Sequence, residues 1–261
     1  MKIVLIKLSG KTIGQFTSGD TGVNLINKMK LEYDGVVIVH GGGKLISEWS
    51  EIFGHPVNFY EGQRVTCQNT MDVVSSVQGG LINSNLTSYM FAHKIRSIGL
   101  NGVDGNSFTA DQINENLGFV GQPKQTAEVD WIIDLLKQNF VPVFSSVCST
   151  LDGQLMNVNA DIFAAELGRA LNVETILFFS DVGGVVLNNK FQSVLNQSQI
   201  KSGLISGEIN GGMIPKMNSC VSLLSYGINK IWIGNSFDEF VSTSKNKQRG
   251  TWIVDSKRIA V

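Results

Sequence analysis

The chain has 261 residues, 43% of them hydrophobic, and its 21 basic and 22 acidic side chains leave a formal net charge of −1. Such a length and core content suit one α/β domain at the point of dividing into two lobes, and they exclude a disordered chain. The balanced charge gives no footprint for a nucleic acid, and no run of about 18 apolar residues offers a membrane span. The cysteines Cys67, Cys148 and Cys220 are odd in number and form no CxxC pair. That argues against a disulfide framework or zinc site, and they read as buried small hydrophobes in a reducing compartment. The opening apolar run is too short for a signal peptide, so the expected location is the cytoplasm.

Short β-branched runs alternate with longer amphipathic stretches, the pattern of βα units around a mainly parallel sheet. In chain order, a strand is expected over 3–8, a helix over 23–32, a strand over 36–39 and a helix over 44–53. A long helical pattern spans 69–93, with Met71, Val74, Val77, Leu81, Asn85 and Tyr89 near helical spacing. Gly79 and Gly80 interrupt it, which fits either one helix with a close backbone neighbour or two shorter ones. Further strands are expected over 95–98, 141–144, 175–179 and 230–233, and further helices over 128–138, 161–171 and 213–226. Polar, hairpin-like segments fall at 56–66, 106–125 and 150–159, the kind of excursion that builds substrate lids. The locally basic tail, 245–249 with Lys257 and Arg258, reads as a solvated edge.

Four clusters carry chemistry. The strand over 36–39 runs through His40 into Gly41, Gly42 and Gly43 and then a helix. Glycines there let backbone N–H groups approach an anion, with the helix dipole behind them. Neither GxGxxG nor GxxxxGK[ST] is present, so dinucleotide and Walker-type sites lose support. Lys7 lies near the carboxyl end of an apolar strand, where a charge is costly unless an anion pairs with it or its stem snorkels to an edge. Ser9 and Gly10 follow it and offer further N–H groups. A glycine loop before Met213 leads into a helix whose first turn would carry Lys216, unfavourable against the dipole unless a bound anion removes the conflict. Asp181, after the strand over 175–179, either supports a nucleotide loop or makes an Asx-turn. His40, His55 and His93 show no metal-ligand spacing and no GxSxG elbow occurs. What remains is anion handling by lysines and backbone amides, which suits phosphoryl transfer.

The stretches at 7–10, 40–43, 62–66, 153–161, 180–184 and 212–216 together resemble acetylglutamate kinase, in that family's order and spacing, from residue 2 to about residue 253. The likeness is to the short, arginine-insensitive bacterial members, whose arginine-regulated relatives carry an extra N-terminal helix. It implies a three-layer α/β/α sandwich with a mainly parallel central sheet. Two lobes share that sheet, an acyl-amino-acid lobe over 1–172 and a nucleotide lobe over 173–261. It also implies that Lys7 and Lys216 stabilise the transferring phosphoryl group while Asp161 orients both. Arg64 would bind the substrate's α-carboxylate, Asn157 the acylated amino acid, and the Gly42 and Gly43 N–H groups would face the reacting carboxylate. ATP is expected over Gly10, Ser180, Asp181, Val182, Gly183, Gly184, Val185, Glu208, Ile209 and Asn210, with Mg²⁺ carried by ATP and no metal ligand from the protein. The implied reaction is phosphorylation of N-acetyl-L-glutamate in arginine biosynthesis, by a homodimer joined through the helix over 69–93.

Departures occur at Ser9, where glycine is usual, at Gly183, where proline or serine is common, and at Gln63, where leucine is usual. Gln63 bears on acyl preference, so N-succinylglutamate or carrier-bound aminoadipate remain alternative acceptors. A non-catalytic nucleotide or amino-acid sensor is the alternative from another class.

Overall fold

The computed structural model describes residues 1–241 and 250–255; the basic residues at 245–249, Lys257 and Arg258 lie outside them. The main sheet contains β1 (Ile3–Leu8), β2 (Gly35–His40), β3 (Ser97–Asn101), β4 (Val141–Ser145), β5 (Thr175–Phe179), β6 (Val194–Asn196), β7 (Lys230–Gly234) and β8 (Thr251–Val254). Across the sheet the order is β6-β8-β7-β5-β1-β2-β4-β3. Every neighbouring pair is parallel except β7 and β8. β1, β2 and β5 are fully buried along their length, as strands covered on both faces must be.

Alternation along β1 divides the core. Ile3 and Leu5 belong to one apolar cluster with Val37, Val39, Ile176 and Phe178; Val4, Ile6 and Leu8 belong to another with Val36, Ile38, Leu177 and Phe179. The second cluster is covered by α1 (Thr21–Glu32), α2 (Gly43–Ile52) and the long α3 (Gln68–Val74, Ser75–Ile82 and Asn83–Ala92). The first is covered by α4 (Asp130–Lys137), α5 (Ala160–Ala170), α6 (Gln197–Ser206) and α7 (Met213–Ser225). The result is the expected three-layer α/β/α arrangement. By the same alternation, Lys7 is placed on the face of Ile3 and Leu5, under α5 and α7.

Several expectations need correction. The strand expected over 95–98 begins at Ser97. Lys94 leaves α3 with φ of 60°, and Ile95 N–H donates to the Met90 carbonyl, so these residues cap the helix instead. The helix is continuous, but Ser75–Ile82 is a π-helix. Its wider turn advances the buried stripe by one residue. After Val77 the buried apolar side chains are Ile82, Leu86 and Met90, not Leu81 and Asn85, while Tyr89 packs against the core only partly buried. A Cβ on Gly79 would stand 2.7 Å from Asn101 Oδ1, whereas Gly80 has open space beside it. The polar segments are a four-stranded second sheet (Phe108–Gln112, Val120–Gln125, Leu155–Val158, Val147–Ser149) and a short hairpin, Phe59–Tyr60 with Gln63–Arg64. Cys67 is exposed, unlike buried Cys148 and Cys220, whose thiols burial pushes up to about 12. No helix among the described residues is long and apolar enough to cross a membrane.

Candidate active site

The carboxyl ends of β1, β2 and β5 open into a cleft of about 620 Å³. Parallel strands gather their following loops at one edge, which is where open α/β sheets bind ligands. Ser9 N–H donates to the Phe179 carbonyl and Gly41 N–H to the Leu8 carbonyl, each at 3.0 Å, pinning the loops after β1 and β2 to neighbouring strands. A Cβ on Gly10 would stand 3.3 Å from Gly43 N, so the two glycine loops lie against each other. Ser9 has no left-handed φ, so serine costs no backbone strain there. A Cβ on Gly183 would make only an ordinary 3.5 Å contact with Asn235, so the bulkier residues usual at this position would also fit. Gly42 caps α2 without a side-chain hydrogen bond, leaving that helix's first N–H groups for the cleft.

Lys7, Asp161 and Lys216 meet at the back. Lys7 Nζ lies 2.6 Å from Asp161 Oδ1, and Lys216 Nζ donates to Oδ2 at 2.7 Å, with all three side chains at most 14% exposed. Asp161 sits in the first turn of α5, where Asn159 caps the helix by accepting from the Asp161 and Ile162 N–H groups. The helix dipole favours a carboxylate at that position. It also resolves the conflict read at Lys216, since the anion beside that first-turn cation is Asp161 itself. Phe178, the register neighbour of Lys7 on β5, presents its ring 5.2 Å from Lys216 Nζ. Burial pushes the Lys7 pKa down, an effect that Asp161 partly offsets. For Asp161, burial alone would raise the pKa, but the two lysines outweigh it and hold the carboxyl well below the usual range. Two lysine side chains thus share a single buried carboxylate, an arrangement that suits a further anion.

Arg64 comes from the hairpin, whose turn at Glu61 and Gly62 has φ of 50° and 78°. Its Nη2 donates to the Gly43 carbonyl at 2.9 Å and to Ser47 Oγ at 2.6 Å, and Phe59 lies 5.0 Å from the guanidinium carbon. Nη1 is buried and has no partner among the described residues. Asn157 Nδ2 donates to Thr66 Oγ1 at 3.0 Å. Gln78, carried inward by the π-helical turn, donates to the His40 carbonyl and to Ser146 Oγ from the cleft floor.

Lys7, Gly10, Gly42, Gly43, Arg64, Asn157, Asp161 and Asp181 thus line one cleft, and Lys216 joins through Asp161. Ser180, Val182, Gly183, Gly184, Val185, Glu208, Ile209 and Asn210 do not line it. Of these, Ser180 is buried behind Asp181, the Val185 N–H donates to Thr251 Oγ1, and Glu208 Oε1 accepts from the Asn188 N–H. Sequence reasoning missed Lys11 and Gln78. Lys11 Nζ donates to Asp181 Oδ2 at 2.8 Å on the cleft rim, and this bond pulls the Asp181 pKa down. Its position beside Gly10 was the available signal; for Gln78, lost in a helical stripe, there was none.

The amino acid kinase family matches residues 2–235. An acetylglutamate kinase of Staphylococcus saprophyticus is 34% identical over 97% of this chain and 100% of its own length. One from Helicobacter hepaticus is 37% identical over 76% of this chain and 71% of its own. Among solved structures, the smu.665 protein of Streptococcus mutans superposes with a TM-score of 0.83 at 25% identity, covering 97% of this chain and 98% of that one. A carbamate kinase of Giardia lamblia bound to AMP-PNP shares the fold, with a TM-score of 0.65 at 15% identity over 97% of this chain and 98% of its own. The chain belongs to the amino acid kinase family, on its acetylglutamate kinase branch.

Proposed function

We propose that this chain transfers the γ-phosphoryl group of ATP to the side-chain carboxylate of N-acetyl-L-glutamate, giving N-acetyl-L-glutamyl 5-phosphate and ADP, the second step of arginine biosynthesis. The curated relatives support this acceptor. The observation that carries the reading is one cleft with both a buried guanidinium that has an unpartnered N–H group and two lysines that share a single buried carboxylate. The guanidinium fork suits an α-carboxylate, and the lysines suit a phosphoryl group in transfer.

In this reading Arg64 and Asn157 hold the acyl amino acid, and the Gly42 and Gly43 N–H groups face its reacting carboxylate. A carboxylate oxygen attacks the γ-phosphorus in line as the bond to the β-phosphate oxygen breaks, so no covalent enzyme intermediate forms. Lys7 and Lys216 neutralise charge on the transferring group, and Asp161 fixes both ammonium groups in advance. Gly10, Ser180, Asp181, Val182, Gly183, Gly184, Val185, Glu208, Ile209 and Asn210 bind the nucleotide. Mg²⁺ would arrive on the ATP phosphates.

The division of labour follows the chain, with acyl-amino-acid residues in 1–172 and, Gly10 apart, nucleotide residues in 173–261. A cytoplasmic setting belongs to the same proposal, since both substrates are charged small molecules. A homodimer would use the long α3, beside which β3 ends the sheet and Phe91 stands 83% exposed; a monomer in light scattering would end that part of the proposal.

The deciding assay incubates the protein with MgATP, hydroxylamine and a panel of acceptors and measures acyl hydroxamate. Signal is expected with N-acetyl-L-glutamate and little with aspartate. No hydroxamate from any acyl-glutamate would overturn the proposal and favour a sensor.

A further inference from the structure

Arg64 is held by unequal means at its two terminal nitrogens. Nη2 donates to the Gly43 carbonyl and to Ser47 Oγ, while Nη1 is buried and has no partner among the described residues. Two hydrogen bonds on one nitrogen anchor that end but leave the guanidinium plane free to turn about it. What lies against the guanidinium is Phe59. It is the direct cross-strand partner of Arg64 in the hairpin, and its ring centroid is 5.0 Å from the guanidinium carbon. The next pair away from the turn carries the ladder bond, from the Val65 N–H to the Asn58 carbonyl at 2.9 Å. Phe59 and Arg64 are therefore the non-hydrogen-bonded pair, whose side chains stand closest in an antiparallel ladder.

Phe59 is itself 59% exposed and lines the cleft, whereas Arg64 is 8% exposed. A ring left mostly in solvent gains little from its own burial, so its weight falls on the cation beside it. We propose that Phe59 is a positioning residue for the acceptor, its ring fixing the Arg64 guanidinium so that the unpartnered Nη1 is presented to the substrate's α-carboxylate. Phe59 acts through Arg64 and needs no contact with the reacting atoms. This rests on the kinase reading above.

The test compares Phe59→Tyr, Phe59→Leu and Phe59→Ala with the unmodified protein, in hydroxamate assays that give kcat and the KM for N-acetyl-L-glutamate and for ATP. An exposed position lets all three variants fold, which circular dichroism checks. Phe59→Leu and Phe59→Ala should each raise the KM for N-acetyl-L-glutamate about fivefold, the scale of a cation–π contact at an exposed site. Both kcat and the KM for ATP should stay within about twofold of the unmodified values. Phe59→Tyr keeps the ring and should match the unmodified protein. An unchanged acceptor KM in Phe59→Leu would mean that any apolar cover serves, and overturns the proposal. An equal rise in the KM for ATP overturns it too, as does the same loss in Phe59→Tyr as in Phe59→Leu. Absence of hydroxamate from the unmodified protein would instead remove the kinase reading, and this inference with it.

Discussion

At the end of the cleft that holds Arg64 and Gln78, the functional side chains are 8% and 3% exposed and are tied to backbone carbonyls or buried hydroxyls. At the end that holds Lys11 and Asp181, the ion pair stands in solvent, with side chains 66% and 50% exposed. Between them, Lys7 and Lys216 are as buried as the first group yet form ion pairs like the second. The difference teaches where pre-organisation has been invested. Groups at the Arg64 end are held before any ligand arrives, whereas exposed ion pairs exchange readily with water and salt.

The strongest way to break this contrast is to remove the anion at the centre. Asp161→Ala should lower kcat by about 10³-fold with a much smaller change in the KM for ATP, because both ammonium groups lose the partner that aims them. Equal losses in the two constants, by steady-state kinetics on protein shown folded by circular dichroism, would mean that the trio serves binding only. A smaller effect concerns His40, whose carbonyl accepts from Gln78. Its Nδ1 bonds the Gly41 carbonyl and its Nε2 pairs with Asn83 Nδ2, and burial pushes its pKa down from 6.5 to about 4. The unfolded chain takes up this proton near pH 6.5, the folded one not until about pH 4. Folding stability should therefore fall with decreasing pH across that window, by about 3 kcal/mol in all. Urea titrations at pH 7 and pH 4.5 check it, and His40→Gln should flatten the acid limb relative to the unmodified protein. The smallest effect is expected at the rim. Lys11→Met should raise the KM for ATP by under about fivefold, within the range of an exposed ion pair; a tenfold or larger rise would show that the rim is built as firmly as the floor.

Much of the frame was legible because buried parallel strands are apolar without interruption. Ile3–Leu8 and Thr175–Phe179 were delimited from the sequence at both ends, and Lys7 stood out as the one charge in such a run. The glycine loop after His40 was legible for the same reason, since a strand, three glycines and a helix leave few other geometries. The α3 register was not. Helical spacing assumes 3.6 residues per turn, and the π segment breaks that count without any mark in composition. α6 was not read either. Its amphipathic signal is weak, and what delimits it is a capping box of Asn196 with Gln199 and a left-handed Gly207. The role of Asp161 came from resemblance alone, because no local pattern joins it to a lysine 55 residues away.

The Lys7–Asp161–Lys216 trio also sets an order of events as the chain leaves the ribosome. Lys7 emerges first, Asp161 next, and the two form a pair of cancelling charge that a partly made sheet can bury. Lys216 arrives last, from the helix after the glycine loop, and its arrival sets a second ammonium group on the same carboxylate. A chain that ends before α7 lacks Lys216, and Asp161 there has Lys7 as its one ammonium partner of the trio. The trio is thereby incomplete until synthesis is well into its final third.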